Sequence, residues 1–252
     1  MIDIKMTKQG PQFYDNPQVF ETYQRHRSSK ESLNNLLDLP VIQELLPDVA
    51  GKVALALGCG RGEFARELLS KGAKEVLGID GSQNMIDTAL AGSKSERLSF
   101  VKANIETYPF PKSEFDLIVS RLVLHYIEDL QKLFLTLYDA LKKKGVFIFS
   151  VEHPCLTAGP EDWDLRKKEG DHTVWQVDHY FEEGKRDVFW MGDCVRKYHR
   201  TVETYFSMLK RSGFDVETIR ESKPSKEWVK DNALYAQLLR LPFFLFLKAT
   251  KK

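Results

Sequence analysis

Three glycines at alternate positions, Gly58, Gly60 and Gly62, close the segment Ala54-Leu-Ala-Leu-Gly-Cys-Gly-Arg-Gly62. Lacking a β-carbon, glycine takes positive φ and lets a ligand come up to the backbone. If a helix follows, its first N–H groups are free to donate as well. Asp80 stands about twenty residues further on, at the end of a second apolar run. A carboxylate placed there can accept both hydroxyls of a ribose. Spacing then narrows the ligand. A dinucleotide fingerprint, G-x-G-x-x-G/A, needs a small third residue. Counted from Gly58, that position holds Glu63, which would meet a pyrophosphate and disturb helix–strand packing. G-x-G-x-G instead suits a nucleoside without phosphates that carries a zwitterionic amino-acid tail. An NAD(P)-dependent oxidoreductase is therefore the disfavoured alternative.

Proton chemistry has its own candidates. His125 and Tyr126 come just after a fourth apolar run, and Glu152 and His153 end a fifth. An imidazole or an acid at such an edge could orient a substrate or take its proton. The competing account of His125 is packing of the turn Leu122–Ile127, and that of His153 is a solvated loop start before Pro154. Tyr198 and His199 are a third such pair. His172 and His179 lack metal-ligand spacing. Cys59, Cys155 and Cys194 form no CxxC pair, so they read as reduced thiols, with neither a disulfide framework nor a metal site.

These groups need elements to hold them. Val53–Leu57, Val76–Ile79, Leu98–Val101, Phe115–Val119 and Val146–Val151 read as strands; the unbroken apolar character of the fourth suits burial on both faces. Between them lie helical patterns, one carrying Phe64, Ala65, Leu68 and Leu69 and stopping near Gly72. A second is capped by Ser82 and carries Met85, Ile86, Ala89 and Leu90, and a third spans Leu130 to Leu141. This alternation argues for right-handed βαβ units and a parallel sheet covered on both sides. Residues 1–50 read as a polar, helical N-terminal cap, with the second apolar pattern broken at Pro40. Residues 154–199 break the rhythm and read as a lid with three of the four tryptophans (Trp163, Trp175, Trp190). Residues 200–252 return to the core through a helix and two final strands, 214–219 and 243–249.

The ordered motifs resemble those of the class I S-adenosylmethionine (SAM) methyltransferases, over roughly residues 50–150 and the terminal strand pair. LALGCGRGEF is similar to the glycine-rich motif, GIDGSQNMI to the ribose-binding acidic loop and KANIETYPF to the adenine-edge motif. FDLIVSRLVLHYIED and LKKKGVFIFSVEHP resemble the segments around strands four and five. The resemblance implies a Rossmann-like, seven-stranded, mostly parallel α/β sheet with an antiparallel last strand. It implies SAM as cofactor and S-adenosyl-L-homocysteine as product. It also implies a cofactor site at Gly58, Cys59, Gly60, Gly62, Asp80, Gly81, Met85, Asn104, Ile105, Glu106 and Ser120, with Asp80 on the ribose and Met85 against the adenine. Asn104 is then near the exocyclic amine and the Ile105 N–H on a ring nitrogen. In similar enzymes an N-terminal helix closes over the methionine end, which brings in Tyr23, Arg25 and Arg27, with an arginine on the cofactor carboxylate. Two departures stand out. Ala56 replaces the usual acid two residues before the first glycine, so one polar anchor is absent or comes from elsewhere. Asn104 replaces the usual aspartate but keeps an acceptor oxygen.

The chain has 252 residues, 37 Lys plus Arg and 36 Asp plus Glu, for a formal charge of +1. That balance gives no electrostatic case for nucleic acid or an anionic membrane as partner. The Lys142–Lys144 run reads as a solvated helix end. The N-terminus lacks an apolar signal core, and the Leu241–Leu247 run is far short of the ~20 residues that span a bilayer. A cytoplasmic protein, monomer or homodimer, is expected. It would methylate a small molecule at an O, N or C nucleophile by in-line displacement, with His153 or His125 as base where one is needed. The look is closest to the small-molecule group that includes quinone-biosynthesis methyltransferases. A non-catalytic SAM-binding or regulatory protein is the remaining alternative.

Overall fold

A computed structural model describes residues 7–29, 32–159, 166–169 and 172–252. The N-terminal part is helical: α1 (Gly10–Tyr14), α2 (Pro17–Ser28), a π-helical turn (Asn34–Asp38) and α3 (Leu39–Leu45). Pro40 does not break this pattern. The π turn runs straight into α3, and the proline, which has no N–H to give, falls at the first positions of the α-helix where none is required.

The sheet elements follow as β1 (Val53–Leu57), α4 (Glu63–Ser70), β2 (Glu75–Asp80), α5 (Gln83–Ala91), β3 (Leu98–Lys102), β4 (Phe115–Arg121), α6 (Leu130–Ala140) and β5 (Leu141–Glu152). A short 3-10 turn (Leu124–Tyr126) stands between β4 and α6. Then come α7 (Pro154–Thr157), the hairpins β6 (Arg166–Glu169)–β7 (His172–Trp175) and β8 (Gly184–Trp190)–β9 (Asp193–His199), α8 (Val202–Arg211), β10 (Phe214–Glu221), α9 (Asn232–Leu238) and β11 (Phe244–Lys251). The seven-stranded sheet has the order β10-β11-β5-β4-β1-β2-β3. β1 pairs in parallel with β2 and β4, while β11 runs antiparallel to both β5 and β10. The order reverses beside β1, so the connections that leave β1 and β4 run to opposite sides and open the crevice in which open α/β sheets bind ligands.

Two apolar layers clamp the sheet. α6 and α8 cover one face with Phe134, Leu137, Tyr205 and Leu209, all buried, and α3 and α4 cover the other with Ile42, Ala65 and Leu68. Ser82 and Thr201 cap α5 and α8 by accepting from the N–H of Met85 and Thr204. The β8–β9 hairpin leaves the sheet and packs on the N-terminal segment instead. Lys8 pairs with Val195 as a parallel bridge, Lys8 Nζ reaches Asp193 at 2.5 Å, and Phe13 stacks on Trp190 at 5.7 Å. The Lys142–Lys144 run lies just past the end of α6, in the first residues of β5, with Lys142 paired to Asp116.

Candidate active site

The glycine loop owes its shape to backbone conformations that side chains resist. Gly58, Gly60 and Gly62 have φ of +68°, +52° and +76°. A β-carbon on Gly58 would meet Val123 Cγ2 at 2.2 Å, whereas one on Gly60 would meet nothing within 4 Å. Gly58 is thus fixed by packing, and Gly60 opens on free space that a ligand can use. Asp80 turns inward. Its carboxylate accepts from the N–H of Gly60 at 2.8 Å and of Ser82 at 2.9 Å. Burial raises its pKa, and those two N–H groups work against the rise.

A cavity of about 870 Å³ runs from this cradle along the carboxyl edge of the sheet. One end is walled by Gly60, Asp80, Gly81, Met85, Asn104 and Ile105, with Glu106 beside them. Asn104 Oδ1 accepts from the Glu106 N–H at 2.9 Å and so fixes the turn that presents Ile105. The Gly10–Asp15 segment crosses this end: a β-carbon on Gly81 would meet Pro11 Cγ at 2.5 Å. Asp15 accepts from Ser82 Oγ at 2.6 Å and from the Asn84 N–H at 3.2 Å.

A recess continues beneath the glycine loop, walled by Tyr23, Arg27, Asp38, Ala56, Cys59 and Arg121. Ala56 leaves room here, and Asp38 from the end of the π turn brings the carboxylate that Ala56 lacks. Asp38 is fully buried; it accepts from Arg121 Nε at 2.8 Å and from Ser150 Oγ at 2.5 Å. Arg27 bonds Asn35 and lies 3.6 Å from Glu63, so its guanidinium is held beside the loop. Burial raises the pKa of the Cys59 thiol, keeping it neutral. Sequence reasoning missed Asp38; its one signal was an acid inside an apolar helical run.

The far end of the cavity is aromatic. Tyr14 is the hub, in edge contact with Tyr23 at 5.1 Å, Tyr126 at 6.2 Å and Trp190 at 6.3 Å. The hydroxyls of Tyr14 and Tyr126 share a 3.2 Å hydrogen bond. Glu152 and His125 close this end. Both Glu152 oxygens accept from Lys197 Nζ, at 2.6 and 2.8 Å, and Lys197 is what chiefly lowers the Glu152 pKa against burial. Burial drives the His125 pKa down to about 4. Its Nδ1 accepts the Glu152 N–H at 3.3 Å. The neutral ring therefore carries its proton on Nε2 and is a donor there.

Tyr198 also lines the cavity, but the remaining candidates are not brought to it. His153 caps α7 by accepting the Cys155 N–H at 3.2 Å and turns its Nε2 to Glu221 at 3.1 Å. Ser120 is buried on β4, and its Oγ has no hydrogen-bond partner. His199 is held within the lid by Thr157 Oγ1 at 2.8 Å and the Tyr180 carbonyl at 2.9 Å. His179 pairs with Glu182 at the surface. Of the lid aromatics, Trp190 reaches the cavity, Trp175 packs on Phe243, Phe181 and Phe189 are exposed, and Trp163 lies outside the described residues. Among the described residues no group of His, Cys, Asp or Glu is arranged to hold a metal ion, and no helix is long and apolar enough to cross a membrane.

The methyltransferase-domain family matches residues 55–149, the span from β1 to β5. An S-adenosylmethionine-dependent methyltransferase from Mesorhizobium loti is 33% identical, with a TM-score of 0.78 over 89% of this chain and 99% of that one. An uncharacterized protein of Haemophilus influenzae is 35% identical over 248 residues, 94% of this chain and 96% of its own length. A ubiquinone biosynthesis O-methyltransferase of Rickettsia bellii is 31% identical over 127 residues; the match takes in half of this chain and about half of that relative.

Proposed function

The chain belongs to the S-adenosylmethionine-dependent methyltransferases, and from that premise we propose that it moves the methyl group of SAM to a small molecule seated at the aromatic end of the cavity. One observation carries this reading: a single cavity joins the Gly60–Asp80 cradle to Tyr14, Tyr126, His125 and Glu152. The residues present fit an adenosine with an amino-acid tail. Gly60 leaves open space where a β-carbon would stand, Asp80 faces it, and the recess beside Ala56 offers two guanidiniums and a carboxylate.

In this reading Asp80 holds the ribose hydroxyls, and Met85 and Ile105 sandwich the adenine edge with Asn104 beside it. Arg27 faces the tail carboxylate and Asp38 the tail ammonium, with Tyr23 over both. SAM supplies a methyl group already activated by its sulfonium. The chain's task is then alignment and exclusion of water, and alignment of this kind can supply ~7–11 kcal/mol of the barrier. His125 holds its acceptor by donating from Nε2 and is not a base. None of the groups at this end stands ready as a base: burial raises the pKa of Tyr14 and Tyr126 and keeps them protonated, and Lys197 lowers that of Glu152 and keeps it ionised. His153 has no part in the transfer. The near-zero net charge favours a small acceptor over a nucleic acid.

Incubating the protein with methyl-labelled SAM and a fractionated cell extract tests the proposal. Label should move into the small-molecule fraction with stoichiometric S-adenosylhomocysteine. SAM binding without product in any fraction would establish a binding protein instead, and label confined to protein or nucleic acid would refute the acceptor class.

A further inference from the structure

The acceptor end of the cavity carries a charge arrangement that separates one class of nucleophile from the others. Glu152 lines the cavity, while Lys197, which holds both of its oxygens, does not. The pair is neutral as a whole, but its negative end faces the cavity. Among the described wall residues, Glu128, again an acid and paired with Lys185 at 3.5 Å, lies toward the same end, whereas Lys102 ends β3 on the cofactor side and Arg27 and Arg121 are engaged with Glu63 and Asp38 there. Around Glu152 stand the rings of Tyr14, Tyr126 and Trp190. Two of them already accept a cation: Lys197 Nζ is 5.3 Å from the Trp190 centroid and 5.9 Å from that of Tyr126. Ring faces and a carboxylate together attract positive charge and repel an anion.

The sign of the charge that develops during transfer makes the same choice. An anionic oxygen loses charge as it takes the methyl group, and a neighbouring carboxylate would only weaken its binding. An amine that arrives as an ammonium first releases a proton to solvent; the neutral amine then gains charge, as its lone pair forms the N–C bond, the C–S bond breaks with its electron pair left on sulfur, and the nitrogen becomes a methylammonium whose proton later leaves to solvent. A fixed carboxylate stabilises that growing positive charge. No base is needed during the step, in keeping with a His125 whose Nδ1 is already engaged by the Glu152 N–H. Resting on the methyltransferase reading above, we propose that the acceptor is an amine, received among Tyr14, Tyr126 and Trp190 with its nitrogen against Glu152.

The test is calorimetry on the full chain saturated with S-adenosylhomocysteine, titrated with benzylamine and longer arylalkylamines, with benzoate and with phenol. The amines should bind, and benzoate should not. Glu152→Gln should weaken amine binding roughly tenfold or more, the loss of one charge-assisted contact, and leave the affinity for S-adenosylhomocysteine within about twofold. Because Glu152→Gln strands the Lys197 charge, the double variant Glu152→Gln/Lys197→Met is measured beside it and should show the same loss. Amine binding unchanged in both variants, no amine binding at all, or benzoate binding as tightly as benzylamine overturns the proposal. Failure to bind S-adenosylhomocysteine in the first place would instead overturn the cofactor site on which it rests.

Discussion

Asp80 serves two opposed demands. It must stay ionised to grip a diol, yet burial raises its pKa, and only the N–H groups of Gly60 and Ser82 counter that. A carboxyl whose folded pKa is raised binds protons more readily folded than unfolded, so its charge at neutral pH costs the empty protein stability, and that cost is relieved as pH falls. Asp80→Asn should therefore abolish SAM binding in calorimetry while shifting Tm by less than about 4 °C. Retained affinity would remove Asp80 from the site. His125 has the opposite sign. Its folded pKa of about 4 lies below the unfolded 6.5, so the stability it contributes is complete above 6.5 and drains away as pH falls toward 4. His153 and His199 are lowered too and slope the same way. Urea unfolding across that window should show a fall in stability that is shallower in His125→Gln. The turn of the glycine loop and the place of Asp80 at the end of β2 were legible in the sequence because both are set by local backbone geometry. Which way His125 and His153 face was not, since both follow strands at the same edge and only packing turns one inward and the other to Glu221.

At the scale of elements, the strand–helix alternation from β1 to β5 was readable because buried strands and one-faced helices carry different periods. The lid was not. Its second hairpin turns at Met191-Gly192, with φ of +49° and +88°, without the usual Asn-Gly or Asp-Gly signal, and β8 runs three charged residues, Lys185–Asp187, into three apolar ones, Val188–Trp190, with no period-two alternation to mark a strand. Nor was α9, a seven-residue helix capped by Asp231 inside what reads as a loop. The N-terminal helices are anchored by a contact that no local pattern encodes, the buried Asp38–Arg121 pair with Ser150. Asp38→Ala would leave the largely buried Arg121 without its counter-ion and should cost about 3–5 kcal/mol in denaturant unfolding. A cost below about 1 kcal/mol would mean that the pair is solvated and does not anchor the cap.

Across the whole molecule, the N-terminal cap and the β8–β9 hairpin act as one cover. Lys8 adds a bridge to β9, and Asp193 receives both Lys8 Nζ and Asn16 Nδ2. This cover lies over the loop after Asp80 at one end and supplies Tyr14 and Trp190 at the other, so cofactor and acceptor are enclosed by the same unit. Asp193→Ala should loosen it: hydrogen exchange should rise in residues 7–16, and bound SAM should dissociate faster, with little change in protection of the sheet. The most direct measurement of the account is a calorimetric titration of the protein with SAM and, separately, with NAD. One SAM should bind per chain with micromolar or tighter affinity while NAD gives no saturable heat. An absence of SAM binding, or NAD binding at comparable strength, would contradict it.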